Sequence, residues 1–104
     1  MEQLAGDAVY LAIAFGVRFS TTLRRSDVGE SWGISLTTQQ ITSRRKVVYI
    51  SLVNPGTAGQ EAGLRENDVI ASVAGQDVYC FDVSVVSPIF KGSDTVKVGF
   101  YRCV

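Results

Sequence analysis

The chain has 104 residues, with ten Lys and Arg balancing ten Asp and Glu and no histidine. That length suits one domain able to bury an ordinary apolar core, and 46% hydrophobic content excludes disorder as a description of the whole. Zero net charge excludes a general nucleic-acid footprint, and the missing histidine removes Ser-His and Cys-His nucleophile pairs and imidazole zinc ligands.

Residues 8–17 form the longest apolar run, half of the roughly 20 residues that a membrane-spanning helix needs. Glu2 and Asp7 precede it with no Lys or Arg, so the basic start of a signal peptide is missing. A cytoplasmic chain without a membrane span is expected. Within and beyond the run, Val9, Leu11, Ile13, Phe15, Val17, Phe19 and Leu23 occupy alternate positions, the period of a strand. One unbroken strand would exceed the usual span of about 3–10 residues, and Gly16 is the natural break. The pattern predicts a strand over 17–24 and an added N-terminal strand over 8–15, with a short helix there as the alternative. Residues 1–16 are then an extension and 17–104 the domain.

Further along, 33–38 alternates around Ile34 and Leu36, and 46–53 is dense in β-branched and aromatic residues, so both read as strands. Asn54-Pro55-Gly56-Thr57 is a turn. Residues 57–64 hold one or two helical turns, with Ala58, Ala62 and Leu64 inward and Gly63 near the end. Strands follow at 68–73 and at 94–102, the latter carrying Val96, Val98 and Phe100. Between them 82–91 opens on a capping aspartate, Asp82, and stops before Gly92, as helices do. Val85, Val86 and Ile89 of that helix are assigned to the core. This order suggests a small α+β fold or a partly open barrel. Cys80 and Cys103 are too few for a disulfide scaffold and wrongly spaced for a metal knuckle, and both are read as buried free thiols. Arg44-Arg45-Lys46 reads as a solvated hairpin tip.

Four segments in order resemble a PDZ domain: Ser31-Trp32-Gly33-Ile34, then Val53-Asn54-Pro55-Gly56-Thr57-Ala58, then Ala62-Gly63-Leu64-Arg65-Glu66-Asn67-Asp68-Val69-Ile70, then Val73-Ala74-Gly75. Together they span about residues 17–102, in the metazoan-type order rather than the circularly permuted one. The resemblance implies a mostly β, α+β fold: a partly open sandwich or barrel of five to six strands with two helices. It also implies a site. Gly33 lets successive N–H groups converge into a nest for an anion, which in PDZ domains is a peptide's terminal carboxylate. Arg24 or Arg25 resembles the family's basic residue that helps hold it. Trp32, Ile34 and Leu36 fall where the terminal side-chain pocket lies, and Phe90 closes that pocket. Strand 33–38, ending at Thr38, offers an edge to an extended ligand, and helix 82–91 forms the opposite wall with Val83, Ser87 and Phe90 on one face. Valine at the first groove position of the helix favours an apolar ligand residue two before the terminus.

The chain departs from the family pattern in three places. Ser31 stands where glycine is usual, Ala74-Gly75 replaces Asn-Gly, and Pro88 lies inside the groove helix, where it is expected either to kink the helix or, with Ser87 as cap, to start a new short segment, and so to change the groove's width. Asp27, Asp68, Asp77 and Asp82 have no acid–base partner at motif spacing, so no catalysis, cofactor or metal site is expected. The expected function is a scaffold or adaptor module that binds C-terminal tails with apolar residues by strand addition between 33–38 and 82–91. The alternative is a structural, oligomerising PDZ-like domain with an impaired groove, assembling through its N-terminal strand or a sheet edge.

Overall fold

A computed structural model describes residues 5–27, 29–79 and 81–103. The elements, in chain order, are α1 (Ala5–Phe15), β1 (Val17–Arg24), β2 (Ile34–Gln40), β3 (Lys46–Val53), α2 (Ala58–Glu61), β4 (Val69–Val73), β5 (Gln76–Asp77), α3 (Val83–Ile89) and β6 (Thr95–Arg102). The strands form one antiparallel sheet in the order β1-β6-β4-β3-β2, with β5 paired to β4. Because β1 and β2 do not meet, the sheet stays open. The fold is mostly β, as expected, with three helices rather than two.

Two clusters hold the sheet from opposite sides. The larger contains Leu23, Val48, Ile50, Ile70, Val86 and Val98, with Trp32, Phe90 and Phe100 around them. The smaller contains Val9, Ala12, Val47 and Val69, bordered by Ile13, Tyr49 and Tyr101. Adjacent residues of a strand point to opposite faces. Val47 and Val69 therefore turn to one cluster while Val48 and Ile70 turn to the other. Burial on both faces explains why 46–53 reads as a continuous apolar run rather than an alternation.

The N-terminal segment corrects the sequence reading: residues 5–15 are a helix, not an added strand. Its even positions Tyr10, Ala12 and Ala14 are apolar too, so the odd-position alternation defined no polar face. Val9, Ala12 and Ile13 share one helical stripe, which lands on Val47 and Val69, and alanine and leucine favour the helix. Gly16 closes α1 by donating its N–H to the Ala12 carbonyl at 3.0 Å. A Cβ on Gly16 would lie 2.1 Å from that oxygen, so only glycine fits this turn into β1.

Three smaller expectations also change. Val85 is 49% exposed on the outer face of α3, while Val86 is buried and Ile89 packs at the core's edge. Cys103 is an exposed free thiol just beyond β6, not a buried one, and Cys80 lies outside the described residues. Lys46 belongs to β3 and is half-buried, so only Arg44 and Arg45 of that basic run are exposed. No helix among the described residues is long and apolar enough to cross a membrane.

Candidate functional site

The loop from β1 to β2 is built around an indole. Trp32 is buried and donates its Nε1–H to the Phe90 carbonyl at 2.8 Å, fastening the loop to the end of α3. The Arg25 guanidinium lies over the Trp32 ring at 3.9 Å, in cation–π range. Arg25 donates to the carbonyls of Ser93 (Nε 3.0 Å, Nη2 2.7 Å) and Glu30 (Nη1 2.6 Å), so three of its five donors are already engaged, by this loop and by the turn before β6.

Gly33 follows with φ 78°, and a Cβ there would come within 2.2 Å of Thr57, so two constraints require glycine. The Trp32 carbonyl accepts from Gly59 N–H at 2.9 Å, and the Gly33 carbonyl accepts from Asn54 N–H at 2.8 Å. In a planar trans peptide the N–H points opposite to the carbonyl. The N–H groups of Gly33 and Ile34 are thereby turned away from Gly59 and Asn54. Gly33 N–H meets a built-in acceptor, the Ser31 hydroxyl, at 3.0 Å.

Beyond the loop, β2 pairs with β3 alone among the described residues and faces α3 across a cavity. Asp82 caps α3 by accepting from Ser84 N–H at 2.8 Å, and its second carboxylate oxygen accepts from Lys46 Nζ at 3.0 Å. The Ser84 N–H, followed by Lys46, lowers the Asp82 pKa from 3.8 to about 2. Pro88 sits in the last turn, where the chain has already tightened: Phe90 N–H reaches Ser87 O and Lys91 N–H reaches Pro88 O, each at 3.1 Å. A proline so near the end interrupts little of the helix.

A cavity of about 270 Å³ lies between the two elements. Trp32, Ile34 and Leu36 form one wall, Val83, Ser87 and Phe90 the other, and Arg25, Ser31 and Lys91 line it as well. The cavity is apolar in its walls and cationic at the loop end. A larger hollow of about 500 Å³ between Arg18, Ser72, Lys97 and Gly99 is more polar, includes Asp77, and is spanned by a hydrogen bond from Arg18 Nη2 to Ser72 Oγ.

A family model for the PDZ domain matches residues 20–98. The chain belongs to the PDZ domain family. No curated protein sequence matches it, but 456 solved chains share its fold. The crystal structure of wild-type TIP-1 superposes with a TM-score of 0.71 at 18% identity, covering 84% of this chain and 88% of that one. The PDZ domain of choanoflagellate SHANK1, bound to a GIRK3 peptide, gives 0.70 at 23% identity, covering 88% and 98%. The Dlg1 PDZ2 domain of the choanoflagellate Monosiga brevicollis gives 0.70 at 17%, covering 81% and 97%. At these identities the likeness is one of fold.

Within this PDZ fold, most of the residues singled out from sequence converge. Arg25, Ser31, Trp32, Ile34, Leu36, Val83, Ser87 and Phe90 line one cavity, and Gly33 is buried in the loop beneath it. Two do not line it. Arg24 is exposed and faces other hollows, beside Thr57, Ala58 and Glu61. Thr38 instead spends its hydroxyl on α3, accepting from Val83 N–H at 3.1 Å. Two features escaped the sequence reading. From sequence Lys91 is only the last residue of the 82–91 helix, although it follows Phe90 and lines the cavity as a cation. The Lys46–Asp82 bridge joins residues 36 positions apart, and only the folded register brings them together.

Proposed function

We propose that this PDZ domain is a peptide-recognition module that adds the C-terminal tail of a partner protein to β2, in a scaffold or adaptor role in the cytoplasm and without catalysis. The observation that carries the proposal is the unpaired β2 edge opposite α3, across an apolar cavity whose loop end is cationic. Main-chain pairing to an exposed edge supplies affinity, and alternate side-chain pockets supply choice. The ligand carboxylate docks at the N–H groups of the Trp32–Gly33–Ile34 turn, in the field of Arg25 and Lys91. Its last side chain enters between Trp32 and Phe90, and the residue two before it meets Val83, so both are apolar. The SHANK1 neighbour, bound to a GIRK3 peptide, supports peptide binding by this fold. Residues 17–104 are the unit proposed to do this, with 1–16 as an extension.

Calorimetric titration of a panel of free-acid peptides, varied at the last and third-last positions and each paired with its C-terminal amide, tests the proposal. Micromolar binding is expected for apolar-ended free acids, with a loss of about tenfold or more on amidation. Equal affinity for acid and amide would refute the carboxylate dock.

A second reading rests on another surface. Leu11, Phe15 and Val17 are 47%, 74% and 47% exposed around the turn from α1 into β1. Apolar side chains gathered at the start of an edge strand suit self-association. Sedimentation velocity over a wide concentration range decides it, and a constant monomer mass would remove this reading.

A further inference from the structure

At the loop end the groove between β2 and α3 is an open cavity, and further along β2 its two walls meet in a hydrogen bond. At the loop end, Ile34 and Leu36 face Val83, Ser87 and Phe90 across the cavity. Two residues further along β2, Thr38 Oγ1 accepts from the backbone N–H of Val83, the first residue of α3, at 3.1 Å. A threonine hydroxyl stands one bond beyond Cβ. The β2 backbone and the helix terminus are therefore separated there by one short side chain and one hydrogen bond. An added strand lies about 4.7–4.9 Å from its neighbour and needs further room on its far side. The room left between β2 and the helix terminus at this point is that of one side chain and one hydrogen bond.

A second contact holds the same terminus. Lys46 stands opposite Gln40 in the β2–β3 register, and its Nζ reaches Asp82, the cap of α3, at 3.0 Å. Thus the end of β2 and the start of β3 each hold the first turn of α3. A tail lying antiparallel to β2, with its carboxylate at the 31–34 loop, would set its last residue near Ile34 and its third-last near Leu36. Its fifth-last residue would arrive at Thr38.

We propose that Thr38 is a gate that sets ligand length: the groove accepts about the last three residues of a tail, and the chain upstream leaves β2 before Thr38. This rests on the peptide-recognition reading above. Thr38 then determines specificity without touching the terminal residue, because sequence upstream of the third-last position goes unread.

The test takes the tightest free-acid peptide of the panel and compares its N-acetylated three-, five- and eight-residue forms by calorimetry. On the wild-type protein the three affinities are expected to agree within about twofold. In Thr38→Gly the eight-residue form should bind about fivefold tighter or better than the three-residue form, the affinity equivalent of one added hydrogen bond, and Thr38→Ser, which keeps the hydroxyl, should stay flat. In the wild-type complex the Val83 amide should keep its protection from hydrogen exchange. An eight-residue form that binds the wild-type protein about tenfold tighter than the three-residue form, or a Val83 amide deprotected on binding, overturns the gate and leaves peptide recognition standing. No binding by any panel member overturns peptide recognition itself, and the gate with it.

Discussion

On the peptide-recognition reading proposed above, Ser31 would compete with the ligand for a donor. Its hydroxyl already accepts the Gly33 N–H that a bound carboxylate would use, so docking must first displace a hydrogen bond. One such bond is worth a net ~0.5–1.5 kcal/mol, or about two- to tenfold in affinity. Ser31→Gly is expected to tighten free-acid peptides by that factor while leaving their amides unchanged, and unchanged or weaker free-acid binding would refute the competition. Ala74 carries a different cost. It sits at φ 54° beside Gly75 at φ 82°, the two positive-φ positions of the hairpin between β4 and β5. A two-residue turn of this kind favours Asn-Gly, and a left-handed alanine costs about 1–2 kcal/mol. Ala74→Asn should raise unfolding stability by about 1 kcal/mol in denaturant titrations, with peptide affinity untouched, since Ala74 does not line the groove.

At the scale of elements, what could be read in advance depended on whether each element had two distinct faces. β1 was legible to the residue because Val17, Phe19 and Leu23 alternate with Arg18, Ser20 and Thr22. α1 was not, since its intervening positions are alanine and tyrosine and only the partner face on Val47 and Val69 distinguishes the helical stripe. The groove's walls were legible because Ile34 and Leu36 follow strand spacing while Val83, Ser87 and Phe90 follow helical spacing. The Thr38–Val83 contact was not, because the two residues are 45 positions apart and meet only in the folded chain.

The cap of α3 also gives the element a pH dependence. Asp82 has its pKa lowered from 3.8 to about 2, first by the Ser84 N–H and then by Lys46. A depressed carboxylate contributes stability that is fully present above its unfolded pKa and is lost as pH falls through the folded one. The stability gap between the wild type and Asp82→Asn should therefore be constant above about pH 4 and shrink between about pH 4 and 2. Thermal melts of both proteins across that window measure it, and a gap that does not move would show that the carboxylate's charge does not hold the cap.

For the molecule as a whole, one ion pair joins three places in the chain. Asp68, 1% exposed, precedes β4, while Arg102 ends β6, the strand between β1 and β4. Arg102 Nε and Nη2 donate to the two Asp68 carboxylate oxygens at 2.8 and 2.6 Å, and Nη2 also donates to the Gly63 carbonyl at 2.8 Å. Arg65 N–H donates to the same carboxylate at 2.8 Å, and Phe100 packs its ring 4.9 Å from the guanidinium carbon. The Asp68 carboxylate raises the Arg102 pKa further above its ordinary value, so the guanidinium stays charged throughout. From sequence Asp68 has no partner at motif spacing, because Arg102 lies 34 residues further on, at the end of the last strand. Removing one member of a buried pair leaves the other charge uncompensated and costs about 3–5 kcal/mol. Arg102→Met, which strands the buried Asp68 carboxylate, should lose about that much in denaturant unfolding, Asp68→Ala, which leaves a partly solvated guanidinium, should lose less, and the double variant should lose clearly less than their sum, since each single change includes the cost of stranding its partner. A double variant whose loss equals the sum would mean that the two residues stabilise the fold independently, through the Arg65 N–H on one side and the Phe100 ring on the other, and that β6 is not tied to the start of β4 by charge.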